Sequence, residues 1–252
     1  MVIDLSYGKL KKYDALLNDY RELYHRDVFD YSKGVEVTSQ IVSLSKELEA
    51  HYENKARSAD SYYSPLMEAI RVFFKSQRCL LEVSNRLFKM GINDYLFNFE
   101  DEHSLSKVRM GNKVLEVSSN PDTQKTIEIL LEVLEHIKPC LPELESASKK
   151  ILGAKDKDLS SMLEGATNLL NSKIHFFNSL VKILEGKFEE AIYELEESIK
   201  NIEGAIKSVK TNLDTPGEVE NAKRTEAYLK LIIDNHKNSI TKMKQLIPKK
   251  TQ

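Results

Sequence analysis

Two short spacings in this sequence are similar to arrangements that carry chemistry in other helical proteins. Glu100 and His103 stand three residues apart, which on a helix places a carboxylate and an imidazole on one face. Di-iron bundles use this spacing, but they also need a second such pair and two further glutamates directed inward. One match arises readily by chance in a glutamate-rich chain, so we predict no metal site and no cofactor.

The second spacing joins Arg21 to His25, four residues later on one helical face. Helical ribonucleases of the HEPN type cleave RNA with an Arg and a His on one helix, but the spacing here is one residue too short for that chemistry. We interpret this pair as solvated. The sequence also lacks the glycine-rich, Walker-type, zinc-protease and serine-hydrolase motifs. No catalytic residue is predicted.

The charge balance argues against a nucleic-acid partner. The chain has 37 basic and 39 acidic side chains, a formal net charge of -2, so no overall field attracts a polyanion. With 41% hydrophobic and 30% charged residues, the 252-residue chain has the composition of a folded domain rather than a disordered one.

The two cysteines, Cys79 and Cys140, each lie in or beside an apolar helical segment. We interpret them as buried free thiols in a reducing compartment, with a structural disulfide as the alternative. The first residues lack the basic and apolar regions of a secretory signal. The sequence therefore predicts a cytoplasmic protein.

Long amphipathic helices are needed to position any of these residues. Apolar residues recur at alternating spacings of three and four over most of the chain, with a break predicted at Lys33-Gly34. Three C-terminal runs keep a seven-residue repeat, which favours antiparallel packing, and His236 falls on the last stripe as an expected hydrogen-bonded core residue. The predicted fold class is all-α, an up-and-down bundle or array of long antiparallel amphipathic helices. We divide the chain into N-terminal helices (1–91), an irregular insert (92–120) and a C-terminal helical bundle (121–252), with one continuous domain as the alternative.

The insert is the least regular part of the sequence. Its Gly111-Asn112 pair is compatible with a tight hairpin or with an interrupted short helix, and the helical character of the rest favours the helix. Exposed aromatic and arginine side chains serve well as interface anchors. The predicted partner-binding residues are Tyr95, Phe97, Phe99 and Arg109.

One segment resembles a known repeat family. From Gly186 to Ile199, a turn glycine, the aromatic Phe188 and the small Ala191 match the second helix of a tetratricopeptide repeat. Asn178, Ser179 and Lys182 depart from the first helix of that family, and no copy recurs about 34 residues away. The resemblance implies a helical hairpin at this point and does not extend to a peptide-binding groove.

These observations lead to one main hypothesis and two alternatives. The main hypothesis is a non-enzymatic helical scaffold or adaptor that binds a partner protein. The first alternative is a BAR-like helical homodimer on an anionic membrane surface, contacted through C-terminal lysines. The second is a helical enzyme with a dispersed site, either metal-dependent or ribonuclease-like. The lysines of the membrane alternative are Lys242, Lys244, Lys249 and Lys250.

Overall fold

The computed structural model describes residues 5–26, 28–60, 63–117, 120–154, 156–210 and 215–247. It confirms the all-α class, because long helices pack against one another and the described strands form only a small sheet. The helices are α1 (Leu5–Glu22), α2 (Tyr31–Ser58), α3 (Tyr63–Lys89), α4 (Pro121–Ile137), α5 (Cys140–Ala154), α6 (Lys157–Leu184), α7 (Phe188–Val209) and α8 (Pro216–Leu246). A 3₁₀ turn, Leu23–His25, follows α1.

Side-chain caps fix where several helices begin. The Asn120 side chain accepts a hydrogen bond from the backbone N–H of Thr123, and Pro121 follows at the first helical position, where its missing N–H costs nothing. At the start of α8, Thr215 and Glu218 form a reciprocal capping box. These caps satisfy backbone donors that have no partner within a helix.

The helices form antiparallel hairpins around one hydrophobic core. In the α2–α3 pair, Arg78 on α3 reaches Glu49 on α2, while Asn85 further along α3 reaches back to Val35. The α6–α7 pair is also antiparallel, because Ser172 bonds Ser198 while Lys182, later on α6, pairs with Glu190, earlier on α7. The α1 helix packs on α2 and α8, and α5 packs on α3 and α6, so the hairpins share a continuous core.

The insert folds as a three-stranded antiparallel sheet, so the preference for a helix there is wrong. The strands are β1 (Asn98–Phe99), β2 (Lys107–Met110) and β3 (Lys113–Glu116), in the order β1-β2-β3. Met110 pairs with Lys113 across the two-residue turn at Gly111-Asn112. Val108 and Met110 are buried while Lys107 and Arg109 face outward, an alternation that suits a strand and not a helix.

The predicted break at Lys33-Gly34 is also wrong. The α2 helix begins at Tyr31, capped by the Asp30 side chain, so Gly34 lies in its first turn. A Cβ atom on Gly34 would come within 2.9 Å of the Phe88 ring on α3. The glycine therefore permits close packing of two helices rather than ending one.

The hairpin tip generates a stability prediction. Gly111 has φ +70°, and an added Cβ would lie 2.1 Å from the Tyr31 hydroxyl oxygen and 2.5 Å from the Gly91 carbonyl oxygen. Gly111→Ala therefore combines backbone strain with steric overlap, and we expect it to lower the free energy of unfolding by about 2 kcal/mol or more in urea titration. Gly8→Ala is the control, because a Cβ there meets nothing within 4 Å and Ala favours the helix. Equal stability of the two variants would contradict this account of the hairpin tip.

Candidate functional site: a buried ion pair beside an open cleft

A lysine and an aspartate meet in the interior of the protein. Lys173 lies in the middle of α6 and Asp94 follows the end of α3, and their side chains are only 2% and 0% exposed. The Lys173 ammonium donates a hydrogen bond to Asp94 Oδ2. Removing two charges from water is costly, so the interior must supply further partners for both groups.

Asp94 receives those partners from three other elements. Its Oδ2 atom accepts a hydrogen bond from the Tyr20 hydroxyl at 2.9 Å and another from the Ser84 hydroxyl. Its Oδ1 atom accepts one from the Tyr24 hydroxyl. With Lys173, four side chains donate to one carboxyl group, an arrangement that favours its ionised form.

Lys173 is also held on more than one side. Its Nζ atom lies 3.2 Å from the Ser84 hydroxyl oxygen and 3.9 Å from the centre of the Tyr95 ring. The ring face attracts the ammonium because it carries partial negative charge. Both members of the ion pair are therefore bound to fixed neighbours as well as to each other.

The pKa values follow from these surroundings. Burial opposes the ionisation of Asp94, but the Lys173 ammonium and the hydroxyl donors outweigh it and hold the pKa of Asp94 below its usual value. Burial lowers the pKa of Lys173 and the Asp94 charge opposes that shift. Burial and the nearby Asp94 charge raise the pKa of Tyr20 and Tyr24, so both remain hydroxyl donors at neutral pH.

A small chamber of about 90 Å³ borders this cluster, and a larger cleft of about 420 Å³ lies next to it. The cleft lies among α1, α3, α6, α7 and α8, and small side chains on three of these helices leave room for it. The small residues are Gly165 and Ala166 on α6, Ala205 on α7 and Ala222 on α8. The residues that line both spaces are Leu17, Arg21, Gln77, Leu169 and Thr225.

Arg21 is the cation at this junction. Its Nη1 atom donates to the side-chain oxygens of Asn18 at 2.8 Å and Asn221 at 3.0 Å. Among the described residues, no carboxylate oxygen lies within 4 Å of the guanidinium, and Nε and Nη2 donate to no protein atom. Burial lowers the pKa of Arg21, with Tyr228 and the more distant Asp14 opposing that shift. The guanidinium still carries its charge, since its pKa starts far above neutrality.

Three of the predicted interface residues are not at the surface. Tyr95, Phe97 and Phe99 are 5%, 1% and 7% exposed, so the expectation that they are exposed anchors is wrong. Their rings point into the protein, where Tyr95 and Phe97 contact Phe176 on α6. Arg109 is half-exposed and pairs with Glu100 across the sheet. Binding of a partner by Arg109 stays a prediction.

The Glu100-to-His103 spacing falls outside any helix, so its helical-face argument does not apply. Glu100 binds Arg109, and the backbone N–H of His103 donates to Asp101. A second Glu-x-x-His spacing runs from Glu22 to His25, and both of those side chains are exposed. Within the described ranges, no group of three or more His, Cys, Asp or Glu side chains is placed to hold a metal ion.

Arg21 and His25 do not share a site. Arg21 lines the cleft, whereas His25 is exposed on a separate shallow surface beside Asp234. Two of the four lysines of the membrane alternative have partners within the chain: Lys242 donates to the Phe99 carbonyl oxygen at 3.3 Å and Lys244 pairs with Glu196 at 2.8 Å. Lys249 and Lys250 lie outside the described residues. None of the helices in the described ranges is both long and apolar enough to cross a membrane.

The expectation for His236 is confirmed. The imidazole is fully buried, stacks on Phe176 with ring centres 5.1 Å apart, and its Nε2 lies 3.2 Å from the Tyr95 carbonyl oxygen. A neutral ring with its proton on Nε2 donates that hydrogen bond and leaves Nδ1 as an acceptor. Burial lowers the pKa of His236 to about 4.

The pairing of Lys173 with Asp94 was not predicted from the sequence, although the apolar stripe of α6 contained one signal for it. Leu163, Ala166, Leu170 and Phe177 form the buried stripe of α6, and Lys173 occupies the position that the alternating spacing reserves for an apolar residue. Asp94 gave no comparable signal, because a single acidic residue in an irregular segment is ordinarily solvated.

Comparisons with models of known protein families, with curated proteins and with solved structures found no match for this chain. The resemblance of Gly186–Ile199 to a tetratricopeptide helix therefore stays a prediction. The structure does show the helical hairpin that this resemblance implies, formed by α6 and α7.

The ion pair predicts a large asymmetry between single and double substitutions. Lys173→Met leaves Asp94 charged and buried, and we expect it to lower the free energy of unfolding by about 3–5 kcal/mol. Adding Asp94→Asn removes that charge and should recover a substantial part of the loss in urea titration. Lys182→Met, on the surface of the same helix, is the matched control and should change stability far less. A loss at Lys173 no larger than the control would contradict the role given to this pair.

The buried imidazole predicts a window of acid sensitivity. Below pH 6.5 the unfolded state binds a proton on His236, whereas the folded state does so only near pH 4. Stability should therefore fall as the pH drops from about 6.5 to about 4, by up to about 3 kcal/mol. In His236→Phe the unfolding free energy should vary less across this window. Identical pH profiles for the two proteins would show that His236 titrates normally.

Proposed function

We propose that this protein is a non-enzymatic helical adaptor, and that it binds a partner protein by holding a short apolar segment with one carboxylate in the cleft beside Arg21. The proposal rests on the unused hydrogen-bonding capacity of that guanidinium. Both protein bonds of Arg21 come from Nη1 and go to neutral amide oxygens, which leaves Nε and Nη2 for a ligand. A carboxylate is the group that accepts two parallel hydrogen bonds from such a planar fork.

The size and lining of the cleft suit a peptide segment. Its volume of about 420 Å³ lies within the range of specific ligand sites, and apolar side chains make up much of its wall. Along α6 the lining runs from Asp158 to Leu169, which corresponds to roughly 16 Å at about 1.5 Å per residue. An extended chain of about five residues covers that length.

The charges around the cleft favour a singly charged segment over a polyanion. Asp158 and Glu218 line the cleft at the beginnings of α6 and α8, and Glu218 lies one helical turn before Asn221, which accepts a hydrogen bond from Arg21. Their carboxylates repel additional negative charge, while Arg21 attracts one acidic group. This arrangement agrees with the absence of a basic excess in the whole chain.

The enzyme alternative draws less support from the same region. Lys173 is the residue best suited to nucleophilic chemistry there, but Asp94, Ser84 and the Tyr95 ring already engage its ammonium. A nucleophilic lysine needs its neutral form, which a bound carboxylate opposes. We therefore assign the ion pair to holding the cleft walls in place.

The proposal predicts that ligand binding depends on Arg21. Selection from a random heptapeptide library displayed with free C-termini should enrich apolar peptides that carry one acidic group. Arg21→Gln keeps a donor toward Asn18 and Asn221 but loses the charge, and we expect it to weaken the binding of a selected peptide 10- to 100-fold, about 1.5–3 kcal/mol. Isothermal titration calorimetry measures the change.

Two further variants separate the site from general charge effects. Arg57→Gln removes an exposed arginine that pairs with Glu53 on α2, and it should leave binding unchanged. Ser161→Trp fills the cleft from a half-buried position on α6 and should abolish binding while Arg21 remains. Octanoate tests a small organic acid as the ligand. Binding of octanoate without any selected peptide, or binding that survives both Arg21→Gln and Ser161→Trp, would overturn the proposal of a protein partner at this cleft.

A further inference from the structure

A pair of thiols joins two helices on a different part of the molecule. Cys79 on α3 and Cys140, the first residue of α5, are both buried, and their sulfur atoms lie 2.7 Å apart. A disulfide bond is about 2.0 Å long, so small side-chain rotations bring these atoms to bonding distance. Both residues are free cysteines here, which confirms the expected buried thiols.

We propose that Cys79 and Cys140 form a reversible dithiol–disulfide site that hydroperoxides oxidise, linking α3 to α5 by an intramolecular bond. The helices already pack against each other, and Lys75 on α3 pairs with Glu143 on α5 one turn from the sulfur atoms. The oxidised form therefore requires no rearrangement of the two helices. The inference does not depend on the cleft proposal.

The surroundings give the two thiols different roles. The hydrogen bond between the thiols and the charge of Lys75 lower the pKa of Cys140 against the effect of burial, while the same hydrogen bond and burial raise the pKa of Cys79. Cys140 also occupies the N-terminus of a 15-residue helix, where the helix dipole favours an anion. Cys140 is therefore the thiolate that attacks, and Cys79 is the thiol that completes the disulfide.

The reaction consumes one hydroperoxide for each disulfide. The Cys140 thiolate attacks the terminal peroxide oxygen and the O–O bond breaks, which gives a sulfenic acid on Cys140 and an alkoxide, or hydroxide when the oxidant is hydrogen peroxide. The leaving oxygen takes up the proton that Cys140 lost to solvent on ionisation and departs as an alcohol or water. The Cys79 sulfur then attacks the Cys140 sulfur. The S–O bond breaks, and hydroxide leaves as water with the Cys79 proton. Two thiols lose two electrons in total, and the peroxide gains them.

Cys79 faces away from the cleft on α3. Gln77 and Phe73 line the cleft, and Cys79 lies two residues after Gln77, about 200° around the helix axis. Oxidation therefore joins the far side of α3 to α5 without occupying the proposed binding site. Peptide binding and disulfide formation can accordingly be tested separately on the same protein.

The test treats the full-length protein with hydrogen peroxide, at a dose that oxidises free glutathione completely in a parallel tube. Free thiols are then alkylated with N-ethylmaleimide in denaturant. The expected product loses two hydrogen atoms in mass, takes up no maleimide, and yields one peptide pair joined through Cys79 and Cys140. Its melting temperature should rise by several degrees, on the order of 10 °C, because the bond closes a long loop. Dithiothreitol should reverse both changes.

Single-cysteine variants identify the attacking thiol. In Cys79→Ser the sulfenic acid on Cys140 has no partner, so dimedone should trap it, whereas Cys140→Ser should give little dimedone adduct under the same conditions. Circular dichroism establishes that each variant is folded, and the alanine variants replace any that are not. Two alkylated thiols after peroxide, a disulfide between two chains, or a sulfinic acid as the main product would each overturn the proposal.

Discussion

The buried pair of Lys173 and Asp94 sets the arrangement of the structure around it. A charge removed from water must find partners in fixed positions, and here those partners come from elements far apart in sequence. Tyr20 belongs to α1 and Ser84 to α3, while Asp94 lies in the chain that leads into the sheet. Sliding α6 by one helical turn would separate Lys173 from Asp94 and leave two buried charges unpaired, and sliding α1 or α3 would remove a hydroxyl donor from Asp94. The pair therefore favours one packing of these helices that apolar contacts alone leave less determined.

The sequence predicted the helices well because their stripes report a local property. A buried face repeats every three or four residues whatever the neighbouring helix is, so the runs through α6, α7 and α8 were visible without a partner. The ion pair was not predictable in the same way, since it depends on which faces meet. Lys173 left a gap in the α6 stripe, but a lysine at such a position is ordinarily interpreted as reaching solvent with its amino group. Only the tertiary structure shows that Lys173 stays buried and pairs with Asp94.

The prediction for the insert, residues 92–120, was wrong for a related reason. Tyr95, Phe97 and Phe99 occupy every second position, but the intervening Leu96 is also apolar and the stretch is too short to define a buried face. The sequence therefore does not state whether their rings face solvent or protein. The structure decides it, because the three-stranded sheet lies at the end of the bundle and its inward residues join the main core. The helical preference was carried over from the rest of the chain, whereas the Gly111-Asn112 pair was a local signal for the hairpin that the structure shows.

The same helix packing that buries the ion pair also produces the cleft. Small residues at helix contacts ordinarily bring two helices together, and Gly165 and Ala205 are consistent with that role where α6 meets α7. Where α1 and α8 also converge, Tyr20 ties α1 to Asp94, and the cleft lies beside those small side chains. The space that remains carries Arg21 at its junction with the chamber, paired only with amide oxygens among the described residues. A rigid interior thus leaves an open cleft in which Arg21 is held in place by its two amide partners, and such preorganisation lowers the cost of binding any ligand that the cleft accepts.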